Sequence, residues 1–446
     1  MTRPLRGRRR RVRHLLSVLA AGLAATLPAP AGSAAYAAEA HGAQAPTVYI
    51  ASDSTAQTYT ADYAPQAGWG QMLGRYLSPR VRVANHAMGG RSSRSFVDEG
   101  RLRTILERIR PGDVLLVQFG HNDSLADPPE RHTTPEQYKE LLRTAYIRGA
   151  ERRGATPVVI TPVSQRDVDP ATGRFRRAFA AYADKAAEVA REEHVPLVDL
   201  GSSSRRYLDS LGAEAAKDVF LYTRPGQYPG RPDGVADRTH FQAYGALHMA
   251  RLLARDLRER VPQLARYVRP TVSAVYDFGP RGSPTASSYT PVTDRTPYTA
   301  ARGYGLSGAG RLTARDRGPR SGLNALRRDF VAGRGAGHGV GRGSEHTSGH
   351  ASGPPSGHAL GHGVAYGFHA RVPKGRYDVR VQAADAAGAV HTSVAVEGGA
   401  PGRLDAARGK AAVRTFTGVK VADGRLDLRI SGRTGHLGAV DILPAA

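Results

Sequence analysis

The chain has 446 residues, 40% hydrophobic and 23% charged, which supplies enough apolar material for globular cores and excludes a wholly disordered or fibrous protein. It contains no cysteine, which excludes disulfides, thiolate zinc sites, iron–sulfur clusters and a cysteine nucleophile together. The formal charge is +24, from 63 basic and 39 acidic residues. Only six of the 63 are Lys, and the Arg are scattered along an Ala/Gly-rich chain, so the excess reads as compositional bias and not as a nucleic-acid patch.

Residues 1–37 read as a secretory signal peptide. Arg3, Arg6, Arg8, Arg9, Arg10, Arg11 and Arg13 form a basic start without an acid, Leu15 to Leu27 is apolar, and Ala35-Tyr36-Ala37 fits a cleavage site. The apolar stretch is short for a span of about 20 residues. Arg10-Arg11 leaves a twin-arginine route open beside the ordinary one. Cleavage removes seven Arg and leaves 24 − 7 = +17. No later stretch is apolar enough to cross a membrane. The expectation is a secreted monomer, without membrane or nucleic-acid partners, to which acidic polymers are drawn.

Residues 38–46 read as a linker. From 47 to 267, apolar runs alternate with helical patterns. The runs are 47–52 (TVYIAS), 81–87 (VRVANHA), 113–120 (DVLLVQFG), 156–163 (TPVVITPV) and 196–200 (PLVDL). Continuous runs suit parallel strands buried on both faces. Helices are expected over 70–77, 99–109, 134–153, 178–193 and 240–260. This alternation predicts a three-layer α/β domain on an open, parallel, five-stranded sheet, with ligands beyond the carboxyl ends of the strands. Residues 271–446 instead carry short β-type runs, among them 377–382, 392–396, 413–421 and 426–430, with a turn at Asp423-Gly424. They predict a second, all-β sandwich domain. Within it, residues 333–363 are rich in Gly, His and Ser and read as a disordered loop. Its five His lack rigid spacing, so no metal site is assigned.

Chemistry-bearing residues cluster at strand ends. The first strand runs into Asp53-Ser54-Thr55, where a hydroxyl can face the crevice. The second runs into Asn85-His86-Ala87-Met88-Gly89-Gly90-Arg91, where glycines let backbone approach a ligand. The third runs into His121-Asn122-Asp123. Asp237 and His240, three apart at the expected start of a helix, can share one turn, so that the carboxylate orients the imidazole. A nucleophile, an N–H donor, an amide donor and an oriented base make a hydrolytic set.

These four blocks, in this order, resemble the SGNH (GDSL) hydrolase family, whose sheet is flavodoxin-like. The longer stretches SDSTAQ, GWGQML, NHAMGGRSSRSF, FGHND, TPVSQR and DRTHF resemble its rhamnogalacturonan acetylesterase branch. The resemblance implies Ser54 as nucleophile, Gly90 and Asn122 as oxyanion-hole residues, His240 as base and Asp237 as its orienting acid, with no cofactor. The family's first-block glycine is Ser52 here, which leaves two serines near the site; Ser54 is assigned because it follows the Asp. Arg91, Arg94, Arg166 and His121 stand as substrate-contact candidates, the arginines as forks for galacturonate carboxylates. Trp69, the only Trp, reads as a packed core aromatic. Residues 271–446 resemble, more loosely, galactose-binding-like sandwiches, which implies a linker-joined carbohydrate-binding module, with a purely structural appendage as the alternative; residues 38–267 hold all four blocks and a complete core, and are expected to fold alone. The expected substrate is an acetylated acidic polysaccharide, rhamnogalacturonan first. Acetylxylan, small or lipidic esters, and a glycan-binding protein without activity stand as alternatives.

Overall fold

The computed structural model describes residues 45–308, 312–333 and 365–445. The expected signal peptide, most of the expected linker and the Gly/His/Ser-rich segment, except Gly333, lie outside the described residues. No helix among the described residues is long and apolar enough to cross a membrane.

Five parallel strands form the first sheet: Thr47–Ser52, Arg82–Asn85, Val114–Gln118, Thr156–Ile160 and Leu197–Val198. Their spatial order is second, first, third, fourth, fifth. The order reverses between the first and third strands, which opens a crevice at their carboxyl ends. The third strand is buried at all five positions, as a strand covered on both faces requires.

Helices flank the sheet, with three differences from expectation. The helix expected over 99–109 is Arg101–Leu106, and an unforeseen helix, Ser93–Asp98, precedes it, the chain turning between them at Gly100, which adopts φ 71. A helix not foreseen, Leu200–Leu211, is capped by Asp199, whose side chain accepts from the Ser202 N–H. The last long helix is Ala243–Arg260, so His240 lies before it, on the strand Val235–Gln242.

Two further five-stranded sheets, almost wholly antiparallel, make up the C-terminal sandwich. Its strands include Gly375–Ala384, Val390–Val396, Ala411–Val421 and Arg425–Ser431. Gly424, at φ 93, makes the expected turn.

The expected free linker between the two parts is absent. Val272, Val275, Tyr289, Leu326 and Leu443 belong to the same apolar cluster as Leu247, Leu252 and Leu257 of the last helix. Arg251, fully buried on that helix, donates to the carbonyls of Val272 and Ser288, both at 3.2 Å, and to Ser288 Oγ at 2.8 Å. Tyr244 donates to Asp441 Oδ2 at 3.0 Å, and Arg380 pairs with Asp218 while lying 4.3 Å over the Tyr244 ring. The physical reason is the helix itself: its exposed-looking polar residues find partners in the sandwich, so it is buried on both sides.

Candidate active site

The loop after the first strand is set by Asp53. Its fully buried Oδ1 accepts from the Thr55 N–H at 2.9 Å and the Thr55 hydroxyl at 2.7 Å. The other oxygen lies 3.2 Å from His121 Nδ1. Burial alone would raise the Asp53 carboxyl, but His121 and the two Thr55 donors hold it below its ordinary value. Thr55 Oγ1 also accepts from Gln118 Nε2 at 3.1 Å, and Gln118 Oε1 accepts from Trp69 Nε1 at 2.9 Å. Trp69 is thus a fully buried strut between the first loop and the third strand. Of the two serines, Ser52 is buried in the strand with no partner for its hydroxyl, whereas Ser54 faces the crevice.

The strand Val235–Gln242 carries the other half. It pairs with Phe220–Thr223, but Phe220 sits opposite Phe241 while Tyr222 sits opposite Ala236. Residues 237–240 therefore bulge from the ladder, a device that re-aims side chains. Asp237 Oδ1 holds the bulge by accepting from the backbone N–H groups of Thr239 at 2.7 Å and His240 at 3.0 Å. Its Oδ2 lies 2.6 Å from His240 Nδ1, and His240 Nε2 lies 2.9 Å from Ser54 Oγ. Burial would raise the Asp237 carboxyl, but the His240 side-chain bond and the two backbone bonds lower it to about 2. An ionised Asp237 accepts a hydrogen bond from Nδ1–H, which leaves the Nε2 lone pair facing the serine hydroxyl.

The second and third loops complete the rim. Gly90 takes φ 76, and Asn122 Nδ2 donates to the Arg91 carbonyl at 3.0 Å. Among the described residues, the backbone N–H groups of Ser54 and Gly90 have no acceptor, so both are free to meet an oxyanion. Asp123, not assigned a role from the sequence, ties these loops together. Its buried carboxylate accepts from the Ser93 N–H at 3.0 Å, the Gly120 N–H at 3.0 Å and the Thr133 hydroxyl at 3.0 Å, and it bonds the Ser93 hydroxyl. Burial raises its carboxyl despite those donors. The polar triplet after an apolar strand was the signal for it.

The crevice is a cavity of about 710 Å³ lined by Ser54, Gln57, Tyr59, Gly90, His121, Asn122, Asp237, Arg238 and His240, among others. His121 does line it, with Nε2 3.1 Å from the Val163 carbonyl and its ring 4.4 Å from that of Phe179. Arg91 and Arg166 do not. Arg91 is engaged by Glu99 at 3.0 Å and the Gly89 carbonyl at 2.8 Å. Arg166 is engaged by the Ala213 carbonyl at 3.1 Å and the Tyr222 ring at 5.1 Å. Gln57, Tyr59 and Arg238 line the cavity without having been singled out. Gln57 accepts from the Gly89 N–H, and Tyr59 donates to the Ser54 carbonyl at 2.9 Å.

Residues 53–248 match the GDSL-like Lipase/Acylhydrolase family. The chain belongs to this family and is a carboxylic ester hydrolase. It is 40% identical over 212 residues to the rhamnogalacturonan acetylesterase RhgT of Bacillus subtilis, covering 48% of this chain and 89% of that one. It is 42% identical over 213 residues to the probable rhamnogalacturonan acetylesterase YesY of the same organism, covering 48% and 92%. A rhamnogalacturonan acetylesterase of Emericella nidulans is 29% identical over 198 residues, covering 40% and 76%.

Proposed function

We propose that this chain is a secreted serine esterase that removes acetyl groups from rhamnogalacturonan in plant pectin. The observation that carries the chemistry is the unbroken hydrogen-bond line from Ser54 Oγ through His240 to Asp237, at 2.9 and 2.6 Å, beside two unpaired backbone N–H groups. The names of the relatives at about 40% identity support the substrate.

A hydroxyl is a poor nucleophile at neutral pH, so His240 Nε2 takes the Ser54 proton as Oγ attacks the acetyl carbonyl. Asp237 stabilises the imidazolium that forms. Charge develops on the carbonyl oxygen, where the Ser54 and Gly90 N–H groups and the second Asn122 amide hydrogen meet it. Removing one such donor costs roughly 2.7–4 kcal/mol of transition-state stabilisation. His240 then gives its proton to the sugar oxygen as it leaves, and water, activated by the same imidazole, releases acetate from Ser54.

The test is acetate release across acetylated rhamnogalacturonan, acetylated xylan and a lipidic ester at equal acetyl concentration. The highest kcat/KM is expected on rhamnogalacturonan. A higher value on xylan or the lipidic ester rejects the substrate, and no release from any rejects the enzyme.

A further inference from the structure

We propose that Arg131 and Arg238 are the groups by which this site reads the carboxylates of an acidic polysaccharide. This rests on the esterase reading above and assigns its substrate class to particular side chains.

The arginines near the site divide by whether a partner already holds them. Arg91 is held by Glu99, Arg94 by Gln137 at 2.9 Å, and Arg166 by the Ala213 carbonyl. Arg131 and Arg238 differ. Among the described residues, neither guanidinium has an ion pair, a hydrogen bond or an aromatic ring against it.

Their placement is specific. The Arg131 guanidinium packs over Gly90, where a Cβ would lie 3.4 Å from its Nη1. The side chain is only half-exposed, so it has given up water without gaining an acceptor, which is unfavourable unless a ligand supplies one. Arg238 lies at the opposite wall, inside the bulge between Asp237 and His240, and lines the cavity. Its backbone is pinned, because its carbonyl accepts from the Arg166 N–H at 2.8 Å, while its side chain is exposed. Ser54 lies between the two walls: its Oγ is bonded to His240, and its Cβ is 3.5 Å from the Cβ position of Gly89.

The sign of the cavity follows. Among the described residues, Asp237 is the only acidic one lining it, and both its oxygens accept hydrogen bonds from His240 and Thr239. Arg238 on the lining, and Arg131 just behind the lining residue Gly90, outnumber that one carboxylate, so the balance of charge at the site is positive. Planar guanidinium groups match carboxylates through two parallel hydrogen bonds. A polymer that carries uronate carboxylates supplies that partner, and a neutral xylan does not.

The experiment uses full-length Arg131→Gln, Arg238→Gln and the double variant, with melting temperatures as the folding control. Substrates are acetylated rhamnogalacturonan, the same polymer with its carboxyls methyl-esterified, and 4-nitrophenyl acetate. For the wild type, methyl-esterification is expected to raise KM. Each single variant is expected to raise KM on the acidic polymer about tenfold, as loss of one charge-assisted bond does. The ratio of esterified-polymer KM to acidic-polymer KM is expected to fall toward one in the variants, and Arg131→Lys or Arg238→Lys restores part of it. Parallel loss of kcat on all three substrates, or an unchanged KM on the acidic polymer, overturns the inference. Wild-type rates equal on both polymer forms also overturn it but leave the acetylesterase standing. No acetate from either polymer rejects the esterase reading itself, and the inference with it.

Discussion

Asp237→Asn separates orientation of the base from its presence. The substitution keeps the size and one acceptor oxygen but replaces the other with an NH2 group. Two placements are possible. With Oδ1 still toward the backbone, the bonds from Thr239 N–H and His240 N–H survive and the NH2 faces His240 Nδ1. With the amide turned over, the NH2 confronts those two N–H donors. The second placement loses two bonds to save one, a deficit of about 1 kcal/mol before the cost of the unsatisfied donors. The first therefore prevails and forces the Nε2–H tautomer, whose hydrogen points at Ser54 Oγ, which can no longer give up its proton. In Ser-His-Asp hydrolases this error costs roughly 10⁴ in kcat, about 5.5 kcal/mol. The assay is steady-state turnover of 4-nitrophenyl acetate beside a thermal melt. We expect a fall in kcat of about four decades, with the melting temperature changed little because the bulge keeps its backbone bonds. A folded variant within tenfold of wild type refutes the assigned tautomer and the role of Asp237.

Ser54→Ala should abolish acetate release with folding retained, whereas Ser52→Ala should keep turnover, since the Ser52 hydroxyl is buried without a partner; the reverse pattern rejects the assignment. Removing residues 271–446 should prevent cooperative folding of the remainder, because Arg251 loses three acceptors and the last helix loses one apolar wall. A soluble truncation with a sharp melt and full turnover of a small ester would refute this. The Asp237 carboxyl lies at about 2 when folded, below its ordinary 3.8, so its hold on the bulge is complete above the ordinary value and is lost only as pH falls through about 2. The low-field proton resonance of His240 Nδ1–H should persist at about pH 3; its loss above about pH 4 contradicts the depressed value.

The parallel strands were legible because an apolar run buried on both faces has little else to be. Residues 113–120 became Val114–Gln118, and of the polar triplet after it His121 and Asn122 line the crevice while Asp123 is buried behind it. The grouping of Ser54, Gly90, Asn122, Asp237 and His240 was also legible, since strand ends in such a sheet converge. The route that brings His240 there was not. Its proximity to Asp237 suggested a helical turn, whereas the chain reaches the same contact through a bulge imposed by pairing with a strand from distant sequence. The helix Leu200–Leu211 hides behind a run of serines, and its cap, Asp199, falls inside the apolar run 196–200 that reads as a strand. Arg131 and Arg238 could not be picked out from so many arginines, because lacking a partner is a property of the folded chain. The shared core was hidden for a related reason. His248 and Arg251 look like solvent-facing positions on an amphipathic helix, yet both are fully buried.

That shared helix has a mechanical consequence. A tethered module explores a volume and acts by keeping its partner nearby. Here Arg251, Tyr244 and Arg380 bolt the sandwich onto the element that directly follows the bulge of Asp237 and His240. The joint has no slack. The sandwich and the bulge that carries Asp237 and His240 therefore behave as parts of one body, joined through a single helix.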